Sequence, residues 1–103
     1  MRLTIIKDDN CVYVDGVPMP VDCTALPSFF HALQWADTQG EIEWTHERNE
    51  RITDLTPYQS WIENWTIANQ TALALAEARR LQAEQAAIPK TALGANTATP
   101  GVA

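Results

Sequence analysis

Short runs of alternating apolar and polar residues fill the first half of the chain and predict an antiparallel sheet. The runs LTII and CVYV flank the turn-forming residues KDDN, and Asp15-Gly16 separates CVYV from VPMP. Asp-Gly between apolar residues is a strong hairpin signal, because a type I′ turn requires positive φ at both central residues. These runs predict a three-stranded meander with its third strand at an edge, since Pro18 and Pro20 lack N–H donors.

The segment HALQWADTQGEIEW predicts a second hairpin, with DTQG as a four-residue loop. In this register Trp35 pairs with Ile42 and Leu33 pairs with Trp44. Successive side chains point to opposite faces of a strand. These four residues therefore share an apolar face, and the intervening Gln and Glu residues share a solvated face.

The segment TPYQSWIENW predicts the start of a helix that continues from residue 57 to 87, before Pro89. Thr56 is the expected N-cap, and Pro57 suits the first helical position. An apolar seam with alternating spacings of three and four, typical of coiled coils, ends before Arg79. The seam consists of Tyr58, Trp61, Trp65, Ala68, Ala72 and Leu75. The helix would be about 46 Å long, against roughly 17 Å for a short strand, so we expect its second half to project beyond the sheet.

The predicted fold class is therefore α+β, with a small antiparallel platform of two hairpins, one long C-terminal helix and an extended tail. The platform covers residues 1–56, the helix covers 57–88 and the tail covers 89–103. Small polar residues, Gly and Pro dominate the tail. Such a segment is expected to be flexible, or ordered only by a partner.

Charge and composition narrow the classes of function. The formal net charge is -6, and residues 1–56 carry ten acidic residues against four basic ones. An acidic surface repels phosphate, so we expect no binding to nucleic acid. No apolar run approaches the roughly 18 residues of a membrane span, so we expect no membrane insertion.

Candidate metal-binding and catalytic residues are few. His31 and His46 lie opposite each other in the predicted hairpin, but Zn²⁺ would need a further ligand. The spacing brings neither Cys11 nor Cys23 to them. The sequence also lacks a nucleophile elbow, a phosphate-binding Gly loop and an HExxH motif. We therefore expect no enzyme activity, no metal and no cofactor.

The four Trp residues are the most informative side chains, and two interpretations of them are compatible. Small domains need large side chains to build a core, which suits Trp35, Trp44 and Tyr58 as core aromatic residues. Trp is also enriched in interface hot spots. The helix is the expected interface with a partner or a second copy, through Trp61, Trp65, Ala68, Ala72, Leu75 and Leu81.

The order of three segments, TIIKDDNCVYVDGVPM, HALQWADTQGEIEW and NERITDLTPYQSWIENW, resembles small proteins of tailed bacteriophages and prophages. Those proteins are often encoded beside tail-fibre genes and described as tail proteins or tail-fibre assembly chaperones. The resemblance covers residues 3–67. It implies non-enzymatic binding to a tail-fibre or tail-tip protein, either transiently in the host cytoplasm during assembly or permanently in the virion tail.

An alternative class is a small acidic inhibitor of a host protein, which presents carboxylates in place of nucleic-acid phosphates. The acidic bias favours this class, whereas the aromatic helix does not. Binding mainly through charge weakens sharply with added salt, and docking through an apolar helix does not. Salt dependence therefore separates the two hypotheses.

Overall fold

Six strands and one long helix make up the computed structural model, which describes residues 1–87. The strands are β1 (Arg2–Ile6), β2 (Cys11–Val14), β3 (Val17–Pro20), β4 (Phe30–Ala36), β5 (Gln39–Trp44) and β6 (Glu50–Ile52). A 3₁₀ turn (Thr56–Tyr58) precedes α1 (Gln59–Ala87). This architecture confirms the predicted α+β class; the predicted extended tail at 89–103 and the last helical residue, 88, lie outside the described residues.

The six strands form one antiparallel sheet in the order β3-β2-β1-β4-β5-β6. Pairing of β1 with β4 joins the two predicted hairpins. Residues Met1–Gln70 form one compact unit, and a second begins at Thr71 within α1. The boundary predicted at residue 56 marks the expected start of the helix, and it stays a prediction.

The hairpin between β2 and β3 has the predicted Asp-Gly turn, with φ of 50° at Asp15 and 85° at Gly16. The strand β3 is at the sheet edge, as its prolines indicate. The N–H of Val21, just after β3, donates to the carbonyl of Asn10. Along an edge strand, the backbone groups of successive residues point alternately toward the neighbouring strand and away from it. The backbone nitrogens of Pro18 and Pro20 therefore point away from β2, where no N–H donor is needed. This edge therefore offers few donors to a foreign strand.

The predicted register of the second hairpin is wrong by two residues. Trp35 pairs with Gly40 and Leu33 pairs with Ile42, so the turn contains only Asp37 and a threonine. Asp37 supplies the positive φ, at 58°, and Gly40 lies within β5. A shift by two residues preserves the faces, so Leu33, Trp35 and Ile42 are still buried together.

The two-residue register shift and a bulge in β4 together remove the predicted pairing of the two histidines. Phe30 pairs with Trp44 and Ala32 pairs with Glu43, which leaves His31 as an extra residue. An extra residue of this kind shifts all pairing beyond it. His46 instead contacts Phe29, with ring centroids 4.3 Å apart. Among residues 1–87, no group of three His, Cys, Asp or Glu side chains is placed to hold a metal ion.

The core lies on one face of the sheet. Its fully buried side chains are Leu3, Ile5, Val12, Cys23, Phe30 and Leu33. Burial of a large aliphatic or aromatic side chain contributes about 1.5–3 kcal/mol. Burial also raises the pKa of the Cys23 thiol, as expected for a packed cysteine. The connector between β3 and β4 and the first turns of α1 cover this face.

The helix begins differently from the sequence prediction. Thr56 lies inside the 3₁₀ turn, and no side chain caps that turn. The Thr56 hydroxyl and its backbone N–H both donate to Asp54 Oδ1, at 2.7 and 2.9 Å. The N-cap position is Leu55 rather than Thr56, and the Asp54 carboxylate closes a local turn just ahead of the helix. Asp22 and Thr24 repeat this arrangement ahead of β4.

Acidification is expected to lower the free energy of unfolding, in part through protonation of Asp54. Its bonds from the Thr56 N–H and hydroxyl hold the pKa of the carboxyl below its ordinary value. A depressed pKa stabilises the fold above the ordinary aspartate pKa of about 3.9, and this stabilisation is lost as pH falls through the folded-state value. Urea unfolding of Asp54→Ala at pH 7 and pH 3 should therefore show a smaller loss on acidification than the wild type.

Thr56→Val is the matched control for this prediction, because it keeps the backbone donor and removes only the hydroxyl. It should retain part of the acid dependence. Equal acid sensitivity of Asp54→Ala and the wild type would contradict the assigned role.

Candidate partner-binding surface

Aromatic residues on the first turns of α1 pack against the sheet. Tyr58, Trp61, Ile62 and Trp65 are all partly buried against the core. The Tyr58 ring centroid lies 6.2 Å from that of Phe30 and 6.0 Å from that of Trp61. Partial burial raises the pKa of the Tyr58 hydroxyl, and the Glu50 carboxylate adds to this effect. These contacts hold the start of α1 on the sheet.

Two indole N–H groups fix this packing. Trp65 Nε1 donates to the Val17 carbonyl at 2.8 Å, which joins α1 to the edge strand β3. Trp44 Nε1 donates to Glu50 Oε1 at 3.2 Å, which links β5 to β6. Buried or half-buried indoles usually have such a partner. Because the Trp65 indole is hydrogen-bonded to β3 and packs on the sheet, only the exposed part of its ring is available to a partner.

The predicted core aromatic residues differ in burial. Trp35 is 8% exposed and belongs to the core, whereas Trp44 and Tyr58 are half-buried and pack at its margin. The Trp44 ring meets Phe30 edge-on, with centroids 5.8 Å apart and planes at 83°. Such geometry adds about 0.5–1.5 kcal/mol beyond area burial. Trp44 and Tyr58 thus keep a solvent-facing edge.

The predicted partner-binding residues fall into two groups. Trp61, Trp65 and Ala68 belong to the first compact unit and are half-buried there. Ala72, Leu75 and Leu81 belong to the second unit and are exposed, Leu75 at 49% and Leu81 at 45%. The predicted projection of this part of α1 stays a prediction.

Leu73 lies outside the predicted seam and is 62% exposed. It lies two positions from Leu75, which places the two side chains on nearly opposite sides of a helix with 3.6 residues per turn. Exposed leucines therefore occur on several faces between Thr71 and Ala87. A search for a single stripe cannot find them.

Charges in this part of α1 balance each other. Arg80 Nη2 lies 2.6 Å from Glu77 Oε2, and the same guanidinium pairs with Glu84. The hydrogen bond from Arg80 also lowers the pKa of the Glu77 carboxyl. Exposed pairs of this spacing stabilise a helix only slightly. With Arg79 included, residues 71–87 are formally neutral, in contrast to the acidic sheet.

Nothing in the described part of the chain has the length and hydropathy of a membrane-spanning helix. Comparison of the chain with protein-family models, curated proteins and solved structures found no match.

Proposed function

We propose that the chain is a non-enzymatic bacteriophage tail accessory protein that binds the tail fibre or tail tip, as an assembly chaperone or a small structural subunit. The observation that carries the proposal is the continuous exposure of the residues from Thr71 to Ala87, including three leucines. The sequence resemblance over residues 3–67 supports the identity of the partner.

The distal helix, defined here as residues 71–87, suits docking on a partner. Most of the stability of helices in proteins comes from packing of their apolar residues. Every one of these residues is exposed. Burial of Leu73, Leu75 and Leu81 in a partner's groove would supply the missing packing.

Fibre assembly creates a need for such a helix. Fibre chains that have not yet trimerised expose apolar surface and unpaired strand edges, and both promote aggregation. A small acidic protein with an apolar helix stays soluble and covers that surface. The same helix packed permanently on a fibre or tail tip would make the protein a structural subunit.

Charged substitutions in the distal helix test the proposal. Ala72→Glu with Leu75→Glu should reduce recovery of a co-expressed tail-fibre protein by about tenfold or more, as expected when hot-spot contacts are lost. Circular dichroism and the melting midpoint should stay near the wild type, because neither residue is buried in the described structure.

Gln82→Glu with Gln85→Glu is the matched control, since it adds two charges to the same segment at polar positions. It should preserve recovery of the fibre protein. Full recovery with the Ala72 and Leu75 variant in an intact fold would refute docking through the seam. Unfolding of that variant would show instead that the segment packs within its own chain.

The exposed carboxylates favour a second candidate, a small acidic inhibitor of a host protein. Asp8, Asp9, Asp37 and Glu47 are all exposed and lie in turns between strands. Binding to the isolated partner at rising salt concentration distinguishes the candidates. A steep loss of affinity supports the inhibitor, and weak dependence supports the helix-docked tail protein.

A further inference from the structure

We infer that the solvent-facing side of the sheet binds a short acidic segment of a partner protein, with Arg2 and Arg51 as its carboxylate-binding residues. This surface lies away from the core and involves no residue of α1. The inference therefore goes beyond the proposed function and does not depend on it.

The register of the strands places one row of side chains across the solvent-facing side. Tyr13 pairs with Thr4, Thr4 with Gln34, Gln34 with Glu41, and Glu41 with Arg51. Successive residues of each strand alternate between faces. The neighbours of these residues along the chain, such as Val12 and Leu33, are fully buried on the core side.

A shallow trough of ≈ 330 Å³ lies on this face, and its lining includes both arginines. Its polar lining residues are Arg2, Thr4, Gln34, Gln39, Glu41 and Arg51. A second depression of ≈ 450 Å³ shares Arg2 and Thr4 and adds Ile6, Asp9, Tyr13 and Gly16. The combined surface is polar on the side of β6 and more apolar on the side of β2.

Hydrogen-bond donors dominate the polar part of the trough. The Thr4 hydroxyl lies 3.1 Å from Gln34 Oε1 and donates to it, so the Gln34 amide keeps its N–H donors available. Within residues 1–87, neither guanidinium makes an ion pair or a side-chain hydrogen bond. A surface that presents donors selects ligands that carry acceptors.

Four nearby carboxylates are already bonded to other donors. Asp15 accepts from the Arg2 backbone N–H at 2.8 Å, and Asp37 pairs with the N-terminal amino group at 3.2 Å. Glu41 accepts from the Asn49 amide at 3.3 Å, and Glu50 accepts from the Trp44 indole. Asp9 lines the adjoining depression and is exposed, but among residues 1–87 no ion pair joins it to either arginine.

Chemistry and charge together define the ligand class. Arginine binds carboxylates through two parallel N–H bonds, which fixes their orientation. The first 70 residues carry eleven acidic residues against four basic ones, so their field disfavours a polyanion such as nucleic acid. A short segment that carries a few carboxylates among apolar residues is repelled less by this negative field than a polyanion is. Its apolar residues would contact Ile6 and Tyr13.

Strand spacing sets the length of that segment. The Cα atoms of Arg2 and Arg51 are three strand spacings apart across the sheet and two residues apart along it, which together give about 16 Å. In an extended peptide, carboxylates at positions i and i+4 are about 13 Å apart. The blocked peptide Glu-Leu-Glu-Leu-Glu is therefore a suitable probe.

Titration of the ¹⁵N-labelled full chain with this peptide, at constant ionic strength, tests the inference. Amide shifts should concentrate at Thr4, Gln34, Gln39 and Gly40. Arg2→Gln with Arg51→Gln should weaken binding by about tenfold, the sum expected for two exposed charge pairs. Arg2→Lys with Arg51→Lys should bind with intermediate affinity, because charge is kept and bidentate geometry is lost.

Lys7→Gln with Arg48→Gln is the control, since it removes two positive charges elsewhere in the same unit and should leave binding unchanged. Equal weakening in both double variants, shifts located elsewhere, or no shifts would overturn the inference. Equal affinity for inorganic phosphate would also overturn it, in favour of a simple anion site. If the double glutamine variant loses its native spectrum, Arg51→Gln alone serves the same comparison.

Discussion

Replacement of Trp35 by Ala is expected to lower the free energy of unfolding by about 3–5 kcal/mol, the range for a large aromatic side chain removed from a core. Trp35 is 8% exposed and lies in β4, where it pairs with Leu3 of β1 and Gly40 of β5. Small domains have total stabilities of about 5–15 kcal/mol, so much of the fold's margin would be lost. Urea unfolding followed by circular dichroism measures the effect.

Trp61→Ala provides the comparison for this measurement. Trp61 is only half-buried, so its removal leaves a smaller gap and should cost less. A Trp35 variant with near-wild-type stability would contradict its place in the core and would make it a contact residue instead.

Gly40→Ala is expected to destabilise the sheet by about 1–3 kcal/mol or more through overpacking. A Cβ at position 40 would lie 2.5 Å from the Gln34 carbonyl oxygen and 2.9 Å from the Trp35 Cα. Both atoms belong to the backbone, so β4 and β5 would have to separate locally. The same added Cβ would approach the Trp35 ring to 3.0 Å.

Gly16→Ala separates this steric effect from backbone strain. Gly16 has a φ of 85° and no neighbour within 4 Å of an added Cβ. Its cost is the left-handed conformation alone, about 1–2 kcal/mol. In chemical denaturation, the Gly40→Ala variant should unfold at a lower denaturant concentration than the Gly16→Ala variant. A Gly40 variant as stable as the wild type would show that the two strands can move apart without cost.

Gly40 also shows why sequence reasoning placed the second hairpin incorrectly. Glycine serves both as a turn residue and where backbones approach closely, and the sequence does not distinguish these uses. The chain turns at Asp37, whereas Gly40 makes room beside Trp35. Faces were still predicted correctly, because a two-residue shift preserves the alternation that specifies burial.

Long-range features were harder to predict than local ones. The Asp15-Gly16 turn, the edge position of β3 and the long helix all follow from local patterns. The bulge at His31 depends on pairing with β5, and the alternation within β4 does not indicate it. The role of Asp54 at the helix start was missed because Thr56 and Pro57 resemble a standard helix entry.

Of the two candidate surfaces, the helix follows from a local pattern, whereas the arginine-lined trough depends on long-range strand pairing. Helical spacing alone singles out Trp61, Trp65 and Leu75, although it cannot show which of them pack on the sheet. Arg2 and Arg51 are far apart in sequence and meet in one trough only because β1, β4, β5 and β6 lie side by side. Only the strand order reveals that surface.

Photo-crosslinking from Leu75 during phage assembly tests the central claim most directly. The distal helix is exposed at this position, so a benzophenone side chain would be incorporated without disturbing the core. The proposed function predicts that irradiated cells yield a crosslink between this chain and a tail-fibre or tail-tip protein, identified by mass spectrometry. Crosslinks only to a host protein, or to no phage protein at all, would contradict it.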